Sequence, residues 1–284
     1  MKKFLTFFLA TFPLFAVDFA TVQEHFYDSR LIEGDGDQDI MLCLHGYGMD
    51  DSISMFVEDT GMTPCHLVSF NFPDFGENIN ELDPHSMSFG TIWELKPAID
   101  RLHRAVFQMG ATSVHLYGFS AGGGAAANIL GVLKTHRFQE ELNMSAEEMD
   151  AIYAALEKGS VVLDCPLKSV DEICEATGHN TPCLEVIAER YKENNLRPID
   201  SLVKMEGSKL RIVLGLQEPD AILSNRDDAL YCERLSTSNK GGTTVIVIGD
   251  EGAHMPTMPS LTTAYRNMME LDEKFYTMRM LLPN

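Results

Sequence analysis

A chain of 284 residues with 45% apolar side chains can bury one full hydrophobic core, and it sits near the upper size of a single domain. Its formal charge of −20 repels phosphate backbones and anionic lipid headgroups, which argues against nucleic acid as a partner. The plainest role of that charge is solubility.

Residues 1–16, MKKFLTFFLATFPLFA, set two lysines ahead of an apolar run without acids and end on a small residue. That is the layout of a secretory signal peptide cleaved after Ala16, so the expected destination is the periplasm or the exterior. The run is shorter than the roughly 20 residues that cross a bilayer. No other segment is long and apolar enough, so residues 17–284 are expected to form one domain without a membrane span. Six cysteines, at 43, 65, 165, 174, 183 and 232, permit disulfides in an exported chain. Cys174 and Cys183 are the nearest local pair, whereas Cys43 lies in an apolar run and reads equally well as a buried thiol. There is no C-x-x-C pair and no two histidines stand at ligand spacing, so no metal is expected.

Short apolar runs follow in order: IMLCL (40–44), HLVSFNF (66–72), SVHLYG (113–118), SVVLD (160–164), LRIVLGL (210–216) and TTVIVIG (243–249). They have strand length and lack clean polar alternation, as strands covered on both faces do. Helical patterns separate them. In 91–109, Ile92, Leu95, Ile99, Leu102 and Val106 recur at spacings of three and four, Thr91 and Glu94 suit a capping box, and Gly110 suits a stop. Pro97 is expected either to kink that helix or to mark its first turn. Ser145 with Glu148 opens another helix that stops near Gly159. Residues 260–281 read as a terminal helix with Leu261, Tyr265, Met268, Met269 and Phe275 facing inward. The stretch 165–208 has no convincing strand and reads as a helical excursion, a cap or lid. Alternating strands and helices predict an α/β fold, a mostly parallel doubly wound sheet with active residues at the carboxyl ends of strands.

One strand leads straight into Gly118-Phe119-Ser120-Ala121-Gly122 and then an alanine-rich helix. This is the context of a nucleophile elbow, where a sharp strand-to-helix turn lifts a serine hydroxyl above the sheet. His254, directly after the last strand, is the candidate base, since an imidazole can take the serine proton and return it to the leaving group. His115 lies inside a strand, and His45 reads as a residue that shapes its loop. The base needs a carboxylate, and Glu218 or Asp220 after LRIVLGL supplies one in the order serine, acid, histidine. Glu218, three residues beyond Gly215, is favoured, while Asp220 is the more usual residue type. Asp250 and Glu251 read as solvated turn residues. An oxyanion hole needs donors worth about 3 kcal/mol each, expected from the backbone N–H of Ala121 and of Tyr47 in His45-Gly46-Tyr47-Gly48. Gly46-x-Gly48-x-x-Asp51 lacks the third glycine of a dinucleotide fingerprint, and no phosphate-binding loop with Gly-Lys-Ser/Thr occurs.

From about Ile40 to Pro256 these blocks resemble the α/β-hydrolase superfamily: LCLHGYG (42–48), VSFNFPDFG (68–76), LYGFSAGG (116–123), GLQEP (215–219) and GAHMP (252–256). The second block departs from the aspartate-proline-glycine turn usual there, through Asn71 and Phe75, and supports the fold more than the site. The resemblance implies Ser120 as nucleophile, His254 as base, Glu218 or Asp220 as acid, and Tyr47 and Ala121 as oxyanion donors. It implies a serine hydrolase of the esterase and lipase type, acting through an acyl-enzyme on a small acyl substrate without metal or organic cofactor. Peptidases, amidases and thioesterases share the fold, and a scaffold that has lost its activity and only binds is the rival from another class.

Overall fold

In a computed structural model the described residues are 24–26, 39–62, 65–73, 88–171, 182–249, 254, 256 and 259–281. The signal segment, the Cys174–Cys183 pairing, Phe75, Asp250 and Glu251 lie outside them, as does the side chain of Phe275. The strands are β1 (Glu24–Phe26), β2 (Ile40–Leu44), β3 (His66–Phe70), β4 (Val114–Phe119), β5 (Val161–Asp164), β6 (Arg211–Gln217) and β7 (Thr243–Gly249). The helices are α1 (Ile53–Asp59), α2 (Ile92–Phe107), α3 (Ala121–Thr135), α4 (Gln139–Leu142), α5 (Ala146–Lys158), α6 (Pro182–Glu193), α7 (Pro198–Ser201), α8 (Asp228–Ser238) and α9 (Pro259–Leu281), with a 3₁₀ turn at Leu202–Met205.

The sheet order is β1-β3-β2-β4-β5-β6-β7. All neighbours run parallel except β1, which pairs antiparallel with β3 through Glu24 opposite Phe70. Each central strand divides its apolar run between two cores because successive side chains point to opposite faces. Leu42, Leu44, Phe70, Leu116, Leu163 and Leu214 pack under α2, α3, α5 and α8. Met41, Cys43, Leu67, Tyr117, Val162 and Val213 pack under α1 and α9, through Ile53, Val57, Leu261, Tyr265 and Met268. Burying each large side chain of this kind contributes roughly 1.5–3 kcal/mol. Among the described residues no helix is long and apolar enough to cross a membrane.

Two helix starts differ in detail. Ser145 and Glu148 form the full reciprocal capping box of α5. At α2, Thr91 caps Trp93 N–H, but Glu94 turns away from the cap and accepts from Gly90 N–H at 2.8 Å and from the Tyr191 hydroxyl. Pro97 neither opens α2 nor ends it. It lies inside the helix, and the carbonyl its missing N–H would have served belongs to Trp93, an exposed residue. Among the described residues, 165–208 contains helices and no strand. Its α7 and the 3₁₀ turn lie on α3, where Ser201 Oγ donates to Asn128 Oδ1 at 2.7 Å, while α6 lies at the start of α2.

Candidate active site

The strand order places β3 and β4 on opposite sides of β2, so successive crossovers diverge and leave a crevice at the carboxyl ends of β2 and β4. Ser120 sits there, as the residue between β4 and α3, with φ 54° and ψ −116°. That backbone region is sparsely populated for any residue with a Cβ and costs about 1–3 kcal/mol. It is held in place from three sides. Ser120 N–H donates to Asp164 O at 2.9 Å, and its carbonyl accepts from Leu167 N–H at 2.8 Å and Gly124 N–H at 3.1 Å.

The flanking glycines are required by contact. A Cβ on Gly118 would stand 2.4 Å from Gly122 O, and one on Gly122 would stand 2.3 Å from Leu44 O. Gly122→Ala therefore cannot be absorbed by a side-chain rotation and must push α3 away from β2. The expected loss is about 3 kcal/mol or more, or failure to fold, by analogy with overpacked cores. Urea unfolding of Gly122→Ala against wild type checks it; equal midpoints would remove the close approach as the reason for glycine.

His254 follows β7 by five residues and spans the crevice. Its Nε2 lies 2.8 Å from Ser120 Oγ and its Nδ1 lies 2.8 Å from Asp220 Oδ2. Phe119 packs on the imidazole at 5.0 Å between ring centroids. The side chains of His254 and Asp220 are each 5% exposed, so the contact is largely dry.

The carboxylate against His254 belongs to Asp220, which corrects the preference for Glu218. Glu218 is exposed, and its N–H still donates to Gly249 O at 2.8 Å, continuing the β6–β7 ladder. Two residues later the chain has turned inward. Asp220 Oδ1 there accepts from Ile222 and Leu223 N–H, each at 2.7 Å, leaving Oδ2 to face the imidazole. Burial is the largest single influence on Asp220 and raises its pKa. His254 and the two backbone donors together outweigh it and hold the carboxyl below the ordinary aspartate value.

The loop after β2 closes the crevice. Gly46 presses on the elbow, where a Cβ would lie 2.9 Å from the Phe119 ring and 3.2 Å from Ser120 Cβ. Tyr47 comes next, in a turn closed by Met49 N–H to Gly46 O at 3.1 Å, with its ring edge-on to Phe89. Ala121 is the first residue of α3, so its N–H belongs to the helix end that points at Ser120. His45 shapes this loop. It is fully buried, Nδ1 lies 2.8 Å from Gly46 O, and Nε2 accepts from Phe72 N–H at 3.2 Å. Burial lowers its pKa to about 4 against smaller opposing effects of Gly46 and Asp50, so the ring stays neutral and structural near pH 7. The second sequence block serves the same loop, since Asn71 Oδ1 accepts from Asp51 N–H at 2.9 Å.

No family model matches the sequence, and no curated protein matches it. Solved structures do match its backbone. Esterase B of Lactobacillus rhamnosis is 14% identical, with 91% of this chain and 89% of that one covered and a TM-score of 0.55. An esterase of Thermogutta terrifontis, solved with propionate bound, is 15% identical over 94% and 93% at a TM-score of 0.57. A sugar hydrolase of Lactococcus lactis is 14% identical over 95% and 98% at a TM-score of 0.52. The chain has the α/β-hydrolase fold.

On this α/β-hydrolase scaffold, two supporting residues escaped the sequence reading. Asn225 Nδ2 donates to Gln217 O and to Asp228 Oδ2, which pins the turn that carries Asp220. Lys168 is buried beneath the same turn, bonded to Asp228 and to Ser224 O at 3.1 Å. Neither belongs to a motif; Asn225 bonds within its own turn, whereas Lys168 meets its partners only through the fold. At the rim of the α/β-hydrolase crevice, α6 approaches the start of α2. A Cβ on Gly90 would lie 3.0 Å from Arg190 Cβ, close to Phe89 and through it Tyr47.

Proposed function

We propose that the protein is a serine hydrolase that cleaves a carboxylic ester through an acyl-enzyme. The observation that carries this reading is the unbroken chain Ser120 Oγ, His254, Asp220, both contacts at 2.8 Å and both ends on different strand termini. His254 Nε2 takes the proton from Ser120 Oγ as the oxygen attacks the acyl carbon. Asp220 holds Nδ1–H and stabilises the imidazolium that results. The carbonyl oxygen becomes an oxyanion for which the amide groups of Ala121 and Tyr47 are the proposed donors, since donors fixed before the reaction need little reorganisation. His254 then protonates the departing alkoxide, and in the second half-reaction it deprotonates water to release the acid.

Fold likeness to esterases lends background to the choice of an ester, although one fold serves many chemistries. Tyr47, whose ring packs on Phe89, offers an apolar surface beside the elbow that suits an acyl chain, and we assign the cap role of 165–208 to its α6 portion. The test is covalent labelling with a fluorophosphonate, read by peptide mass spectrometry. A single adduct on Ser120, together with turnover of short-chain nitrophenyl esters above that of matched anilides, is expected. A protein that is not labelled is a binding scaffold, and faster anilide cleavage makes it an amidase.

A further inference from the structure

At the amino end of the sheet, opposite Ser120, the parallel ladders gather three side chains that are far apart in sequence. Asp39 precedes β2, Cys65 precedes β3, and His115 is the second residue of β4. Ile40 stands opposite His66 and Met41 opposite His115. By continuation of that register Asp39 faces Cys65, and it shares the face of Met41 and His115. One ligating atom from each of Asp39, Cys65 and His115 lies within 4.8 Å of the other two. In a tetrahedral zinc site, bonds of about 2.0–2.3 Å put ligand atoms roughly 3.3–3.7 Å apart, so a contraction of about 1 Å closes this set.

His115 carries the second, independent observation. It is 2% exposed, and its Nδ1 lies 2.7 Å from Ser160 Oγ, which itself lies 2.9 Å from the Tyr265 hydroxyl. Its Nε2 is buried and has no hydrogen-bond partner. A buried polar nitrogen left in that state is costly, and a bound cation would satisfy it. The Ser160–Tyr265 pair gives the ring the outer support that metal-ligating histidines have and fixes its orientation; with the proton on Nδ1, donated to Ser160 Oγ, Nε2 is left with its lone pair. Burial keeps the imidazole neutral, the form that ligates, with its pKa lowered to about 4 although Asp39 opposes the shift. Cys65 carries a thiol rather than a disulfide sulfur and is half-buried, while Asp39 is exposed and opens a path from solvent.

We propose that Asp39, Cys65 and His115 form a binding site for a zinc-class divalent cation, with water as the fourth ligand, that ties β2, β3 and β4 together at their amino ends. Sulfur with imidazole favours zinc over magnesium or calcium, which take oxygen donors. No paired spacing announces this set in the sequence, from which no metal is expected; the sheet alone creates it. A second grouping, Cys165 with Asp220 and His254, is not a rival site. Both ring nitrogens of His254 are already engaged there, and burial raises the pKa of the Cys165 thiol and keeps it protonated.

Cobalt(II) is the probe, added to the full-length chain after chelator treatment, with zinc as competitor. One equivalent of cobalt should bind, giving a sulfur-to-cobalt charge-transfer band and visible bands of tetrahedral type, both removed by zinc. Cys65→Ser should abolish the charge-transfer band, and Asp39→Asn should weaken zinc binding on the order of 10-fold or more. Both replaced residues lie at or near the surface, so these variants decide the matter even if a buried substitution such as His115→Gln fails to fold. Cys165→Ser should keep the band, and Cys65→Ser should keep ester turnover. Absence of stoichiometric binding, or a band that survives Cys65→Ser, overturns the proposal.

Discussion

Replacing Ser120 with alanine should remove ester turnover by a factor on the order of 10⁴ or more while leaving the fold intact. The size follows from what disappears. In the proposed mechanism no acyl-enzyme can then form, because the hydroxyl held 2.8 Å from His254 Nε2 is gone. Residual hydrolysis would come from the oxyanion donors and from substrate binding, neither of which the substitution touches. Stability is expected to be equal or slightly higher. Ser120 holds a positive φ through its backbone bonds to Asp164, Leu167 and Gly124, all of which alanine keeps. Steady-state kinetics on a nitrophenyl ester, paired with thermal unfolding, checks both halves. Turnover within a few-fold of wild type would remove Ser120 from the mechanism, and a collapsed melting temperature would mean that the hydroxyl supports the fold instead.

The strands that support this site were readable because of where they lie. A parallel strand covered on both faces leaves a continuous apolar run, and β2 occupies the residues such a run predicts, while β3 to β6 shift by one or two residues at their ends. β7 also matches its run, but it is an edge strand with Ile246 and Ile248 exposed, so the expected cover on both faces does not hold there. Ser120 and His254 were readable for a related reason. Ser120 stands directly beyond such a run and His254 five residues beyond the last one, and the elbow glycines are forced by backbone contacts with Gly122 and Leu44. The terminal helix was readable from its apolar stripe, for Leu261, Tyr265 and Met268 are all buried. β1 was not, because three residues paired antiparallel at a sheet edge have no periodicity to recognise. Glu94 misled for a different reason: its spacing suits a cap, but Tyr191 of α6 and the Gly90 turn compete for its carboxylate, and they become neighbours only in the folded chain. The preference for Glu218 over Asp220 failed on the same ground. Distance along the chain from Gly215 could not reveal that Glu218 still belongs to the β6–β7 ladder and that the turn begins after it.

That distinction predicts opposite outcomes for two nearly identical substitutions. Asp220→Asn should lower turnover by about 10⁴-fold, whereas Glu218→Gln should leave it near wild type. At position 220 the cause is orientation. Oδ1 receives two backbone N–H groups at 2.7 Å, so an asparagine must keep its oxygen there and turn its NH₂ toward His254. A donor facing Nδ1 forces the proton onto Nε2, the atom that has to accept from Ser120. Glu218 points to solvent, and Gln preserves the N–H to Gly249 O, so its effect on stability should stay within about 0.5 kcal/mol. The lowered pKa of Asp220 adds a sign. Because the folded protein holds this carboxyl ionised more readily than the unfolded chain does, its contribution is fully present above the ordinary aspartate value of about 3.9. It is lost as pH falls through the lower folded value. The stability gap between wild type and Asp220→Asn should therefore narrow in urea unfolding as the pH drops below about 4, with the wild type losing more. A gap that widens on acidification would show that His254 and the two amides do not stabilise the carboxylate. Full activity in Asp220→Asn with loss in Glu218→Gln would return the acid's role to Glu218.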